Sequence, residues 1–216
     1  STLEIVNQKL LQIKIDEGED SPLERDIEKE FKINLKLPPG YSVESLTKFE
    51  SKLNALKATN KSLVESIEGM DIFILPGNLA KGYGGLRSSR GYIELFGDPN
   101  IADMAHEFDH ELIADLGNRV PNGLKDIVQK AGFFYESGLA APSIGDLSTE
   151  WLGGSRAPKY VFQRPYAANL TNGLPKEHSA TIREAIYRGE PFIADDEKEE
   201  KCYNDIFKYL FDEGMF

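Results

Sequence analysis

The segment that most limits the folds open to this chain is residues 98–117, "DPNIADMAHEFDHELIADLG". At 100° per residue, Ile101, Ala105, Phe108, Leu112 and Leu116 gather on one side of a helix as a core stripe. His106 and His110 fall on the opposite side one turn apart, with Glu107 at their flank. The five residues His106-Glu107-Phe108-Asp109-His110 fit H-E-x-x-H and hold two of the chain's 3 histidines. Two imidazoles at i and i+4 can reach one ion at about 2.0–2.1 Å each, leaving the glutamate beside an open coordination position. Zinc lowers the pKa of the water it binds, and Glu107 can take that proton and pass it to a leaving amine. The spacing predicts a helix capped by Asp98, opened by Pro99 and stopped at Gly117. Asp103, one turn ahead of His106, either supports a ligand from outside or answers the helix dipole. Asp109 and Glu111 are expected in solvent. The competing reading is an exposed histidine pair with no ligand, so the rest of the chain must supply what such a site still lacks.

A zinc site needs a third protein ligand. Thiolates are excluded because Cys202 is the single cysteine, which also rules out an internal disulfide. His178 is the remaining histidine, and Glu177 stands beside it in "LPKEHSATIREAI". On a helix through that segment Glu177, Thr181 and Glu184 share a face. Glu136, Glu150 and Asp115 are further carboxylates within the choice.

The surrounding pattern is α+β. The 216 residues suit one domain with a real core, divided into a helical N-terminal part (1–70), a sheet with the active-site helix (71–120) and a helical part supplying the third ligand (121–216). Leu3, Val6, Leu10 and Ile13 mark a first helix; Ser21 and Pro22 open a second; Leu46, Phe49, Leu53 and Leu56 stripe a third. "MDIFILPG" and "YIELF" (92–96) read as strands around the glycine-rich "NLAKGYGGLRSSRG", whose spacing is not that of a phosphate loop. Helices are expected at 123–132, at 175–189 and at the C-terminal end, with a loop-rich stretch over 133–174. A net charge of −11 argues against a nucleic-acid partner. No apolar run approaches the roughly 20 residues of a membrane span. The chain opens without a basic segment followed by an apolar one, so any export signal is absent or already removed.

The segments "GLRSSRGYIELFGDPNIADMAHEFDHEL", "LKDIVQKAG" and "YAANLTNGLPKEHSATIREAIYRGE" resemble the catalytic domain of anthrax lethal factor and its relatives, the clostridial Pro-Pro endopeptidases and Mlc titration factor-like peptidases. The shared order is a glycine-rich loop, an edge strand, the H-E-x-x-H helix, a connecting helix, a tyrosine, and a helix opening on a ligand glutamate. The resemblance implies a zincin-like domain with a small, mostly antiparallel sheet. It implies Zn2+ held by His106, His110 and Glu177, Glu107 as general base, and Tyr166 of "RPYAAN" donating to the oxyanion. It also implies that the edge strand with Tyr92, Ile93 and Glu94 pairs with the backbone of a peptide substrate. Trp151, Tyr160 and Phe162 would then shape one wall of the groove. A secreted or translocated bacterial toxin or effector, monomeric and cleaving one protein target, is the expectation that follows. Thr181 stands where the family has a second glutamate and His178 where it has an aromatic, which keeps His178 as the alternative third ligand. A metal-bearing but non-cleaving binding module, and a zinc hydrolase of a non-peptide amide, are the competing functions.

Overall fold

In the computed structural model, residues 22–79, 85–87, 91–137 and 165–216 are described. The expected helix over 3–13, the Ser21 cap, Gly82 and Gly84, Glu150, and the aromatics Trp151, Tyr160 and Phe162 lie outside them.

Helix α1 (Pro22–Phe31) leads through a turn into strand β1 (Asn34–Lys36). Helices α2 (Val43–Thr59) and α3 (Lys61–Glu65) then carry the chain to strand β2 (Asp71–Leu75). Strand β3 (Gly85–Arg87) and strand β4 (Tyr92–Phe96) follow. Helix α4 (Ile101–Leu116) carries the histidine pair, and helix α5 (Arg119–Lys130) comes next. A two-strand ladder pairs β5 (Glu136–Ser137) with β6 (Asn169–Leu170), and β6 leads to helix α6 (Lys176–Arg188) and helix α7 (Glu197–Asp212).

The four-stranded sheet has the order β1-β2-β4-β3. Three of its strands are parallel and only β3 runs against its neighbour, so the expectation of a mostly antiparallel sheet is corrected. The cause lies in the connection between β1 and β2. Parallel pairing needs a crossover of a dozen or more residues, and α2 with α3 supply it. Strand β1 also corrects the purely helical reading of 1–70: three residues between a helix and the Pro38-Pro39-Gly40 break are too few to show a pattern of two.

A second correction concerns "YIELF". Residues Ile93, Glu94 and Leu95 are paired to β2 on one side and to β3 on the other. The strand is therefore interior, and its backbone is not free to take a peptide. Among the described residues the free edge on that side is β3, drawn from the glycine-rich segment read as a loop.

Alternate residues of the sheet feed one hydrophobic cluster. Ile72, Ile74, Ile93 and Leu95 are buried, and they join Phe49, Leu53 and Leu56 of α2 and Ala105, Phe108 and Leu112 of α4. On the opposite face Phe73 and Tyr92 meet edge to face with centroids 5.3 Å apart. The stripes expected on α2 and α4 thus pack as their periodicity demands, and burying each such side chain contributes roughly 1.5–3 kcal/mol. Among the described residues no helix is long and apolar enough to cross a membrane.

Candidate metal centre

Helix α4 begins two residues later than expected. Asn100, not Asp98, is the cap: its side chain accepts from the Ala102 amide at 2.7 Å. Lys52 donates to the Pro99 carbonyl at 2.6 Å, which ties Pro99 to α2 ahead of the helix rather than inside it. Gly117 ends the helix at φ 76°, a conformation that favours glycine.

With that start, His106 and His110 turn toward α6 and not into open solvent. Their rings meet edge to face at 5.0 Å. His106 Nε2 lies 3.1 Å and His110 Nε2 3.3 Å from the same oxygen, Oε2 of Glu177. The three donor atoms all lie within 4.8 Å of one another. Ligands held at about 2.05 Å around a tetrahedral ion are separated by about 3.3 Å, so these spacings fit one ion between two imidazoles and a carboxylate. The donor set of two nitrogens and one oxygen suits zinc.

The charge balance fits as well. Glu107, Glu177 and Glu184 converge on two histidines at low exposure, and buried carboxylates without a cation nearby are costly. Burial alone would raise the Glu177 carboxyl, but hydrogen bonds from His106 and His110 outweigh it and hold it well below the ordinary 4.5. Burial alone would likewise lower His106, yet its hydrogen bonds to Glu177 and Glu184 raise it well above the ordinary 6.5.

Each ring nitrogen of His106 has its own carboxylate. Nδ1 lies 3.0 Å from Glu184 Oε2, two helical turns beyond Glu177 on α6. Donation from Nδ1 to Glu184 fixes the tautomer that leaves Nε2 with its lone pair toward the donor cluster. Arg188 continues the chain of contacts, donating through Nε to Glu184 Oε1 at 3.0 Å and through Nη2 to Asp103 Oδ1 at 2.7 Å. Asp103 thus supports the site through two intermediates. The sequence placed Glu184 on the face of Glu177 but did not assign it this partner, and Arg188 was missed. Its signal was the i, i+4 spacing from Glu184.

Glu107 is 7% exposed and sits beside both imidazoles. Burial raises its carboxyl above the ordinary 4.5, and the histidine charges pull it partly back.

The remaining expected residues separate clearly. His178 is fully buried and turns away from the donor cluster, with Nδ1 2.7 Å from the Tyr135 hydroxyl and the two rings edge to face. It does not share the donor group of His106, His110 and Glu177. Asp115 is exposed near the end of α4. Glu136 lies on β5, but its side chain, like that of Tyr166, falls outside the described residues; the short helical turn Pro165–Ala168 that carries Tyr166 packs against α6. Tyr92, Ile93 and Glu94 occupy the interior strand already described. Asp109 and Glu111, expected in solvent, are both buried; Asp109 lies on the flank of α4 that α6 covers, bonded to Ser179 and Arg183.

Comparison of the chain with protein-family models, with curated proteins and with solved structures finds no match to any of them.

Proposed function

We propose that this chain is a zinc-dependent endopeptidase, in which His106, His110 and Glu177 hold the metal and Glu107 is the general base. The observation that carries the reading is the convergence of His106 Nε2 and His110 Nε2 on one oxygen of Glu177, supplied by a different helix. Bound zinc supplies Lewis acidity to a water and to the carbonyl under attack.

The chain's own residues account for the rest. Glu107 accepts the proton of the attacking water and delivers it to the departing amine, a role worth on the order of 10²–10⁴-fold in rate. Glu184 holds the His106 ring in one orientation and one tautomer, with Arg188 and Asp103 behind it. Tyr166 is the candidate donor to the developing oxyanion, as the resemblance to the lethal-factor peptidases implies.

A peptide substrate is favoured over a small amide by β3. It is the last strand of the sheet among the described residues, and it lies against α4. An extended peptide can add to such an edge through main-chain hydrogen bonds, which brings its carbonyls alongside the helix that bears the histidines. This role passes from residues 92–94 to residues 85–87. A merely structural or binding module has no use for a carboxyl buried beside two imidazoles, so Glu107 favours hydrolysis over docking.

The test is a search for new protein termini in a lysate exposed to the zinc-loaded chain and to Glu107→Gln. Termini made by the native chain and absent with Glu107→Gln, at equal zinc content, are expected. Equal cleavage by both proteins overturns the mechanism.

A further inference from the structure

The metal ligands come from two helices, so the register of α6 against α4 decides whether they meet. A second cluster, separate from the donor atoms and buried beneath them, is placed to fix that register. Asp109 lies within the H-E-x-x-H segment, directly before His110, and is fully buried. Its Oδ2 accepts from Ser179 Oγ at 2.6 Å and its Oδ1 from Arg183 Nε at 2.6 Å. Ser179 and Arg183 are one turn apart on α6, and both are buried. Arg183 also donates through Nη2 to the Met215 carbonyl and stacks on the Phe216 ring at 4.4 Å. The same carbonyl accepts from Asn60, at the junction of α2 and α3, at 2.7 Å.

We propose that Asp109, Ser179 and Arg183 are positioning residues for the metal centre: they lock α6 against α4 so that Glu177 meets His106 and His110. The inference rests on the metal reading above. The two helices are keyed by contacts of opposite sense. Acids of α6 reach histidines of α4 at the donor cluster, and an acid of α4 reaches a base and a hydroxyl of α6 beneath it. A one-residue slip of α6 moves each residue about 1.5 Å along the axis and turns it by 100°, so it breaks both Asp109 contacts at once. Hydrophobic packing between the helices tolerates small shifts far better than two bonds to one fixed carboxylate do. A buried ion pair is a poor source of stability, since apolar residues of similar volume can replace it at little or no loss. Its use here is to select one arrangement of two helices among several that bury similar surface. Asn60 and the Met215 carbonyl extend the lock to the N-terminal helices.

The test separates position from stability. Asp109→Leu combined with Arg183→Met replaces the pair with apolar groups, and Ser179→Ala removes one donor and leaves the pair in place. For each variant and the native chain, thermal unfolding, zinc affinity by chelator competition and the visible spectrum of the cobalt-substituted protein are recorded. The double variant is expected to unfold within a few degrees of the native chain and to bind zinc about 10–100-fold more weakly, with altered cobalt bands from a displaced Glu177. Ser179→Ala is expected to weaken zinc several-fold with the same spectral change. If the double variant does not fold, Ser179→Ala carries the decision alone. Zinc affinity within twofold of the native value, with an unchanged cobalt spectrum in a folded variant, overturns the positioning role. Failure of the native chain itself to bind zinc overturns the metal reading instead, and so distinguishes the two.

Discussion

Replacing Glu184 by glutamine tests the support of His106 without touching a metal ligand. The native carboxylate accepts from His106 Nδ1 at one oxygen and from Arg188 Nε at the other, each at 3.0 Å. Both are charge-assisted, and each such bond is worth roughly 1.5–3 kcal/mol against 0.5–1.5 for a neutral one. Glutamine offers one oxygen, so it can keep one of the two donors and must turn an N–H group toward the other. If the loss at His106 is about 1.4 kcal/mol, zinc binds about tenfold more weakly; the low end of the usual range for such outer contacts is expected because the amide still fills the space. The measurement belongs over a range of pH. The same carboxylate helps hold a proton on His106 in the metal-free protein, and at neutral pH its loss would also remove a competitor of zinc. Chelator competition repeated from neutral to alkaline pH separates the two effects, because the share due to the proton fades as pH rises and the orienting share does not. Glu184→Gln that binds zinc within twofold of the native chain, with its fold intact, would refute the argument.

Other consequences follow from the same geometry. In the metal-free protein His106 is raised above 6.5, so its stabilising contribution is full below that pH and fades as pH rises through the folded value. Glu177 is depressed below 4.5, so its contribution is full above that pH and fades as pH falls toward the folded value. Melting temperature of the metal-free chain should therefore be higher between about pH 4.5 and 6.5 than at pH 9, and zinc should flatten that alkaline decline; a metal-free melting temperature that climbs steadily to pH 9 contradicts it. Zinc binding near neutral pH should release a proton, read by calorimetry in buffers of different ionisation enthalpy, and the same heat in every buffer counts against a proton on His106. Gly123→Ala drives a methyl into the Tyr209 hydroxyl, which donates to the Arg119 carbonyl across α5 and α7. Moving that ring sacrifices its hydrogen bond, for a destabilisation of about 1–3 kcal/mol and a melting point lower by several degrees; an unchanged melting point shows that the ring moves freely.

What the sequence disclosed and what it hid divide along physical lines. Patterns within one element were legible: the stripe Leu46, Phe49, Leu53 and Leu56 is buried as its spacing requires, and Glu177, Thr181 and Glu184 do share a face of α6. Pairings between elements were not. Strand direction is set by the crossover and not by the letters of "YIELF", so an interior parallel strand was read as an edge. Asp109 looked like a surface acid because its partners, Ser179 and Arg183, stand some seventy residues further along the chain. Choosing Glu177 over His178 turns on which side of α6 faces α4, and adjacent helical residues point 100° apart. The Tyr135 hydroxyl that holds His178 could not be foreseen from either segment alone.

The central claim is that two histidines and one glutamate, from two helices, hold a single zinc ion. X-ray absorption at the zinc edge, on the chain loaded with one equivalent, measures that most directly. The account predicts a first shell of nitrogen and oxygen at about 2.0–2.1 Å with the outer-shell signature of two imidazoles, and loss of tight binding in Glu177→Ala. A signature of three imidazoles, which would bring in His178, or a shell unchanged by Glu177→Ala, would contradict it.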